Sequence, residues 1–291
     1  MPTLPREAFD SYREMLYKVR EHSSRQVRDA IDMLEWGDPA QIKRSKKQLA
    51  RVIQFVVGRN AEAYVEAMLR FGNLYSTAAA WAELENAVLT AMETPATVPA
   101  DVIESTIDYN AKKLEIGDFA GFRDAIADHT GMYTKRVAYE TLGKGFALSS
   151  GLSTKQARTP VGDRGVEIAW IPSGDTCAFC IALASRGWQP ARYKRFGDYA
   201  EHVHAHCDCE LVFRANSSLD VAGYDVDELR AIYYDRDILP DEYKNLPDDE
   251  IPWQVRINAI RRAQYAQPEI GDRIREQHRE QYAATHPHDD K

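Results

Sequence analysis

The stretch Val166-Glu-Ile-Ala-Trp-Ile171 marks a change in the character of the sequence and decides the fold that we predict. It alternates in part and is rich in β-branched and aromatic residues, which is typical of a half-buried strand. The turn Pro172-Ser-Gly-Asp175 follows, and Glu210-Leu-Val-Phe-Arg214 predicts a return strand. Residues 181–186 can form a short helix between the strands, which Gly187 ends. These elements predict a small β-rich module.

Apolar residues recur every three or four positions through most of the first 150 residues, which predicts one helix after another. The first predicted helix carries Phe9 on its apolar stripe. A second is expected to end at Gly58-Arg59-Asn60, and a third to begin at Ala61. Asp101 and Glu104 have the spacing of a capping box, which predicts a helix start there.

The domain organisation follows from these changes of pattern. Glycine and serine loosen the chain over residues 143–151, where we place a boundary. Residues 235–250 carry many carboxylates and two prolines, which suits an exposed acidic linker. The sequence therefore predicts an α+β fold that is mostly α. It comprises a helical domain at 1–150, a Cys/His module of zinc type at 151–216, and the acidic linker with charged C-terminal helices at 217–291.

The composition limits the classes of function. A chain of 291 residues with 44% hydrophobic content can bury one large core or two smaller ones. Its formal charge of −8 argues against coating nucleic acid by bulk electrostatics, although a local basic patch remains open. No stretch approaches the roughly 18 to 20 apolar residues that cross a bilayer, and the first residues lack the apolar core of a secretion signal. We therefore expect a protein made in the cytosol, without a membrane partner.

The four cysteines lie in two close pairs, which indicates a metal site in a reducing cytosol. Zinc binds four ligands in a tetrahedron at about 2.0 to 2.3 Å, and a Cys-x-x-Cys turn supplies two thiolates from one loop. The predicted ligands are Cys177, Cys180, Cys207 and Cys209, with His204 as the substitute if only one sulfur of the second pair binds. Such a closed site is structural, because no position remains for a water nucleophile.

Other interpretations of the cysteines stay open at this point. They could form two disulfides after release into an oxidising medium, or pack together as reduced thiols. A thioredoxin-type redox pair fits less well, because that motif belongs in a βαβ unit and a helical bundle precedes Cys177 here. Small β-rich modules bury little apolar surface, which favours a metal or a cross-link. We expect Trp170, Phe179 and Trp188 to form the small apolar core of the module.

The histidines beside the second cysteine pair allow an enzymatic alternative. His202, His204 and His206 alternate, so they would share one face of an extended segment and could serve a second metal site or a nuclease. A solvated or hydrogen-bonded edge is the simpler interpretation. A zinc deaminase is disfavoured, because no His-x-Glu precedes Cys177 at a useful distance. Asp175 is expected to cap the turn or the following helix rather than to act in catalysis.

The same residues resemble those of a known family, the phage head-morphogenesis or minor head proteins called Mu F-like. The likeness rests on Asp175, on Cys177-Ala-Phe-Cys180 and on His204-Ala-His-Cys-Asp-Cys209, and it is strongest to the branch found in prophages of Gram-positive bacteria. The wider family commonly has proline after the motif histidine and arginine between the last two cysteines, where this chain has Ala205 and Asp208.

The resemblance implies a non-enzymatic, low-copy protein of the phage head that acts near the portal during assembly in the bacterial host cytoplasm. It implies the portal protein and the major capsid or scaffolding protein as partners, with packaged DNA as a further candidate. A metal-dependent nuclease or a toxin-like enzyme is the rival class, since some members of this family are fused to toxins.

Overall fold

The computed structural model describes residues 3–149, 165–172, 176–191, 209–215 and 217–266 of the chain. Five long helices precede the sheet, which confirms that the fold is mostly α with a small β part. They are α1 (Arg6–Asp32), α2 (Pro39–Leu74), α3 (Ala78–Met92), α4 (Ala100–Glu115) and α5 (Phe119–Leu148). Helix α5 lies at the centre and packs against the other four. None of the described helices is both long and apolar enough to cross a membrane.

Helix α2 runs without interruption through Gly58, so the predicted helix end at Gly58-Arg59-Asn60 is wrong. Glycine in a helix costs only about 1 kcal/mol relative to alanine, and burial of Ile53, Val57 and Ala61 on either side offsets this cost. The predicted capping box at Asp101 is also wrong, because α4 begins after Pro99 without a side-chain cap.

A true capping box starts α2 instead. The Asp38 carboxylate accepts hydrogen bonds from the Ala40 and Gln41 backbone amides at 2.8 and 2.9 Å. The Gln41 side chain in turn accepts a hydrogen bond from the Asp38 backbone amide at 3.1 Å. Both ends of the motif are therefore satisfied, and Pro39 occupies the first turn, where its missing N–H costs nothing.

The strands predicted at both sides of the cysteine motif are confirmed. The two-residue strands β1 (Thr3–Leu4) and β5 (Asp220–Val221) pair in parallel. Strand β2 (Val166–Ile171) pairs in antiparallel register with β4 (Glu210–Ala215), and β3 (Gln189–Pro190) pairs with the other edge of β2. The short helix α6 (Ala178–Ala184) follows β2. All six residues of β4 and five of the six residues of β2 are buried, so β2 does not have the half-buried environment that its partial alternation predicts.

The helices and the three-stranded sheet share one hydrophobic core. Phe213 of β4 illustrates this, because its ring lies 5.3 Å from that of Phe146 on α5 and 6.2 Å from that of Trp81 on α3. Gly72 of α2 lies directly beneath the same ring. The sheet is therefore built into the helical bundle. Helix α5 continues to Leu148, and the domain boundary placed at residue 150 remains a prediction.

The three aromatic residues expected to form a separate core contact three different partners. Trp170 packs edge-on to Tyr139 of α5 at 5.4 Å. Phe179 lies 6.1 Å from Trp253, and Trp188 lies 6.3 Å from Tyr75, measured between ring centroids. All three contribute to the common core or to its margin, so the prediction of a small core private to the module is wrong.

The C-terminal part folds against this body through α7 (Val226–Tyr233) and α8 (Trp253–Ala266). The acidic segment between them is held by two arginines. Arg236 donates to the carbonyl oxygens of Lys244 and Leu246, both at 2.8 Å, and to the Asp248 carboxylate at 2.9 Å. The buried Arg256 guanidinium donates to the same carboxylate at 2.6 Å. One carboxylate of this acidic segment, that of Asp248, therefore binds both arginines inside the fold.

Two glycines of α2 provide a matched test of this packing. A Cβ atom at Gly72 would lie 2.4 Å from Phe213, whereas a Cβ atom at Gly58 would have no neighbour within 4 Å. We expect Gly72→Ala to lower the free energy of unfolding by about 1–3 kcal/mol through overpacking. Gly58→Ala should raise it by roughly 0.5–1 kcal/mol. Urea denaturation followed by circular dichroism measures both, and equal effects at the two positions would contradict this packing.

Candidate functional site

The first cysteine pair lies at the start of α6. Cys177 is the residue before the helix, and its sulfur accepts a hydrogen bond from the Cys180 backbone amide at 3.4 Å. The two Sγ atoms are 3.3 Å apart, beyond the roughly 2.05 Å of a disulfide. Two thiolates bound tetrahedrally to one zinc ion at about 2.3 Å would be about 3.8 Å apart. The pair is thus close to the spacing that a shared zinc ion requires, with Cys180 buried and Cys177 half-buried.

The third described cysteine leaves the sheet at the same end as this pair. Ile171 at the end of β2 is registered with Glu210 at the start of β4. Cys209, which immediately precedes β4, therefore lies at the end of the hairpin from which the chain continues toward Cys177. Cys209 is fully buried. Antiparallel pairing thus explains the position of Cys209 in the sheet, but the three described cysteines, Cys177, Cys180 and Cys209, do not by themselves form a group that could hold a metal ion.

Helix α6 packs against β2, and helices α7 and α8 pack against α6. The Tyr224 hydroxyl donates to the carbonyl oxygen of Ala184, the last residue of α6, at 2.7 Å. Burial raises the pKa of Tyr224, and the negative charges of Asp220 and Cys209 add to the effect. Gln264 of α8 donates to the Thr176 carbonyl, next to Cys177, at 2.9 Å. The segment that carries Cys177 and Cys180 is therefore held near both ends by hydrogen bonds from Tyr224 and Gln264.

The remaining predicted site residues lie outside the described residues: His204 and Cys207 of the ligand set, and Asp175, His202 and His206. Within the described ranges, no group of three or more His, Cys, Asp or Glu side chains is arranged to hold a metal ion. The chemistry of the Cys177 and Cys180 sulfurs suits zinc, and the complete ligand set stays a prediction.

A buried polar network lies directly behind Cys209. The Lys135 ammonium of α5 donates to the Cys209 carbonyl at 2.6 Å and to Oε1 of Glu210 at 3.1 Å. The side chains of Lys135 and Glu210 are only 1% and 4% exposed, so the pair is removed from water. A guanidinium nitrogen of Arg20 on α1 lies 3.9 Å from the same carboxylate oxygen. The charge of Glu210 is thus compensated inside the core.

Three tyrosines complete the network and tie β4 to three helices. Tyr64 of α2 and Tyr139 of α5 donate to Oε2 of Glu210 at 2.8 and 2.9 Å. Tyr12 of α1 donates to the Leu211 carbonyl at 2.8 Å, and the Leu211 amide donates to the Tyr139 oxygen at 3.2 Å. Burial, followed by the Glu210 charge, raises the pKa of all three tyrosines well above its usual value. They therefore stay protonated and act as donors.

The sequence prediction missed this network. Its only signals are a lysine, Lys135, within a helical run that is otherwise apolar on its inner side, and a glutamate, Glu210, at the start of an apolar strand. The sequence does not show that these two residues pair, because 75 positions separate them and only the fold brings them together.

The fold and the site define a helical protein that holds a β-hairpin through a buried polar network and presents a cysteine pair at one end of that hairpin. A family model described as VG15 protein matches residues 3–236, and the chain therefore belongs to the VG15 protein family. This is a family of phage or viral proteins, so the broader expectation of a phage protein is supported, without the narrower Mu F-like assignment. Comparison with curated proteins and with solved structures gave no match.

The buried ion pair gives a sharp stability test. Lys135→Met removes the nearest cation from the buried Glu210 carboxylate and leaves, among the described residues, only the more distant Arg20, and we expect the free energy of unfolding to fall by about 3–5 kcal/mol. Combining it with Glu210→Gln, which keeps an acceptor for the tyrosines, should recover a large part of this loss. Urea denaturation measures the changes.

Lys18→Met is the matched control, because Lys18 pairs with Glu14 at the surface and should contribute less than about 1 kcal/mol. An effect of Lys135→Met as small as that of Lys18→Met would show that the interior pair does not hold β4.

Proposed function

We propose that the chain is a structural protein of a phage particle, a minor head protein that acts near the portal during head morphogenesis. The observation that carries the proposal is membership of a phage protein family over residues 3–236, combined with the Cys/His motif that resembles the Mu F-like minor head proteins. The expected partners are the portal protein and the major capsid or scaffolding protein. Assembly would take place in the host cytoplasm, and the protein would then belong to the head.

The architecture supports a role in assembly. Long helices held by an aromatic core present extended surfaces, and several large apolar side chains stay accessible on them. Met33 and Ile116 are 83% and 81% exposed, and Phe55 is 66% exposed. Single exposed apolar side chains are common on protein surfaces, so they permit contact with another protein without identifying one. The Cys/His segment would add a rigid contact surface, with no catalytic step assigned to it.

Zinc is the proposed cofactor of that surface, held by Cys177, Cys180, Cys207 and Cys209, with His204 as the substitute ligand. The 3.3 Å spacing of the first two sulfurs supports this assignment. A zinc ion there would compensate thiolate charge and join the two loops, and it would leave no open position for a substrate.

Metal analysis tests the cofactor directly. Purified wild-type protein should contain about one zinc ion per chain by elemental mass spectrometry. Cys180→Ser should reduce this several-fold, and His129→Ala, a histidine on α5 outside the motif, should leave it unchanged. Wild-type protein that is folded and free of zinc after purification in the presence of zinc would overturn the cofactor assignment.

Incorporation into heads tests the function. In host cells infected with a phage that lacks this gene, a plasmid copy should restore the protein to purified heads in low copy number. Cys180→Ser and Cys209→Ser should lower incorporation several-fold, while Lys18→Gln should not. Circular dichroism of the purified variants separates a lost contact from failure to fold.

Absence of the wild-type chain from purified heads would contradict the proposed function. Cleavage of plasmid DNA that requires added metal and is lost in His204→Ala would favour the nuclease class instead.

A further inference from the structure

One face of α2 carries an unusual concentration of positive charge. Between Pro39 and Ala61 the sequence contains six lysines and arginines and no aspartate or glutamate, although the whole chain has a formal charge of −8. The charge is therefore concentrated on one element rather than spread over the chain. A basic stripe along a helix is the usual electrostatic footprint of nucleic-acid binding, and the net charge of the chain does not reveal it.

Five of these cations form what we call the basic face of α2: Lys43, Arg44, Lys47, Arg51 and Arg59. All five are exposed. At about 100° and 1.5 Å per residue they lie within an arc of about 160° and extend over about 24 Å of helix. The sixth, Lys46, is set apart because it pairs with Asp108 of α4 at 2.8 Å. Within the described part of the chain, the ion pairs of α2 cations otherwise involve only Arg70, near its far end.

This arrangement has no evident benefit for the fold itself. Lys43, Lys47 and Arg51 follow one another at four-residue spacing, and like charges at that spacing destabilise a helix by about 0.2–0.5 kcal/mol per pair. The inner side of α2 is already held by buried apolar residues such as Leu49 and Ile53. The positive charge thus faces outward, available to an external polyanion.

We propose that the basic face of α2 binds the sugar-phosphate backbone of double-stranded DNA without sequence preference. Duplex DNA presents one negative charge per about 1.7 Å of its axis, so a band of cations that extends about 24 Å along one side of the helix can meet several phosphates at once. Gln48 and Gln54 are exposed on the same face and can donate further hydrogen bonds to phosphate oxygens.

An anionic membrane fits this face less well. A helix that lies on a membrane inserts a broad apolar side into the lipid, and the apolar side of α2 is committed to the protein core. Phe55 is the single large apolar side chain exposed within the described residues 43–59. Repeated cations with amides between them match a polyanion in water better than a lipid surface.

The inference extends the proposed function by giving packaged DNA a defined contact, yet it can be tested separately. Residue 43 lies about 32 Å along the helix axis from Tyr64, whose hydroxyl binds Glu210 next to Cys209. Loss of zinc or of head incorporation therefore need not affect DNA binding, and purified protein is sufficient for the measurement.

The test compares the full-length wild type with a variant that carries Lys43→Gln, Arg44→Gln, Lys47→Gln and Arg51→Gln. Glutamine preserves helix propensity, and circular dichroism verifies the fold. The matched control carries Lys18→Gln, Arg70→Gln, Arg261→Gln and Arg262→Gln, which removes the same charge from exposed positions elsewhere. Fluorescence anisotropy with 30-base-pair duplexes of two unrelated sequences, at several salt concentrations, measures binding.

We expect wild type and control to bind both duplexes alike, with affinity that falls steeply as salt rises. The basic-face variant should bind at least about tenfold more weakly, and the slope of log affinity against log salt should decrease by about 3 to 4. Equal affinity of the basic-face variant and the control would overturn the proposal. So would wild-type binding to anionic vesicles or to an acidic polypeptide in the absence of any binding to duplex DNA.

Discussion

The buried pair of Lys135 and Glu210 is the constraint on which the rest of the structure depends. Removing two opposite charges from water costs several kcal/mol per ion, and the cost is offset only if geometry and hydrogen bonding are nearly complete. Here Lys135 has two oxygen partners and Glu210 receives two tyrosine hydroxyls in addition. A shift of β4 by one residue would leave all of these groups unsatisfied. The network therefore fixes the register and orientation of β4 at least as much as it adds to the free energy of unfolding.

This constraint changes how the cysteine region should be understood. A short β-rich module in isolation needs a metal because it buries too little apolar surface, and that argument favoured zinc from the sequence. In the structure β2 and β4 lie in the core of the helical bundle and are anchored by α1, α2 and α5, so the hairpin has ample support without a metal. A zinc ion would then serve to join the segment that carries Cys177 to the segment that ends at Cys209.

The sequence predicts most elements of this protein and little of how they combine. Amphipathic periodicity and the β-branched runs suffice for the helices and for both long strands, because these patterns reflect local geometry. The helix end predicted at Gly58 was wrong because burial in the core overrides helix propensity. The helix start predicted at Asp101 was wrong because the spacing of a capping box does not by itself show where a helix begins. The close approach of Cys177 and Cys180 could be predicted from their Cys-x-x-Cys spacing. The relation of the motif to Glu210 could not, because that contact spans the whole fold.

Helix α2 shows how one element can serve several purposes without conflict between them. Its inner side is apolar where it faces the core, Tyr64 supplies a hydroxyl to Glu210, and Gly72 allows close contact with Phe213. Each of these roles uses positions that point inward, so none of them restricts the outward positions near the start of the helix. Selection for a surface property can act there independently of stability, apart from the small cost of like charges in sequence. The outward cations are therefore best explained by a partner outside the chain, since the buried side of the helix and the described ion pairs do not involve them.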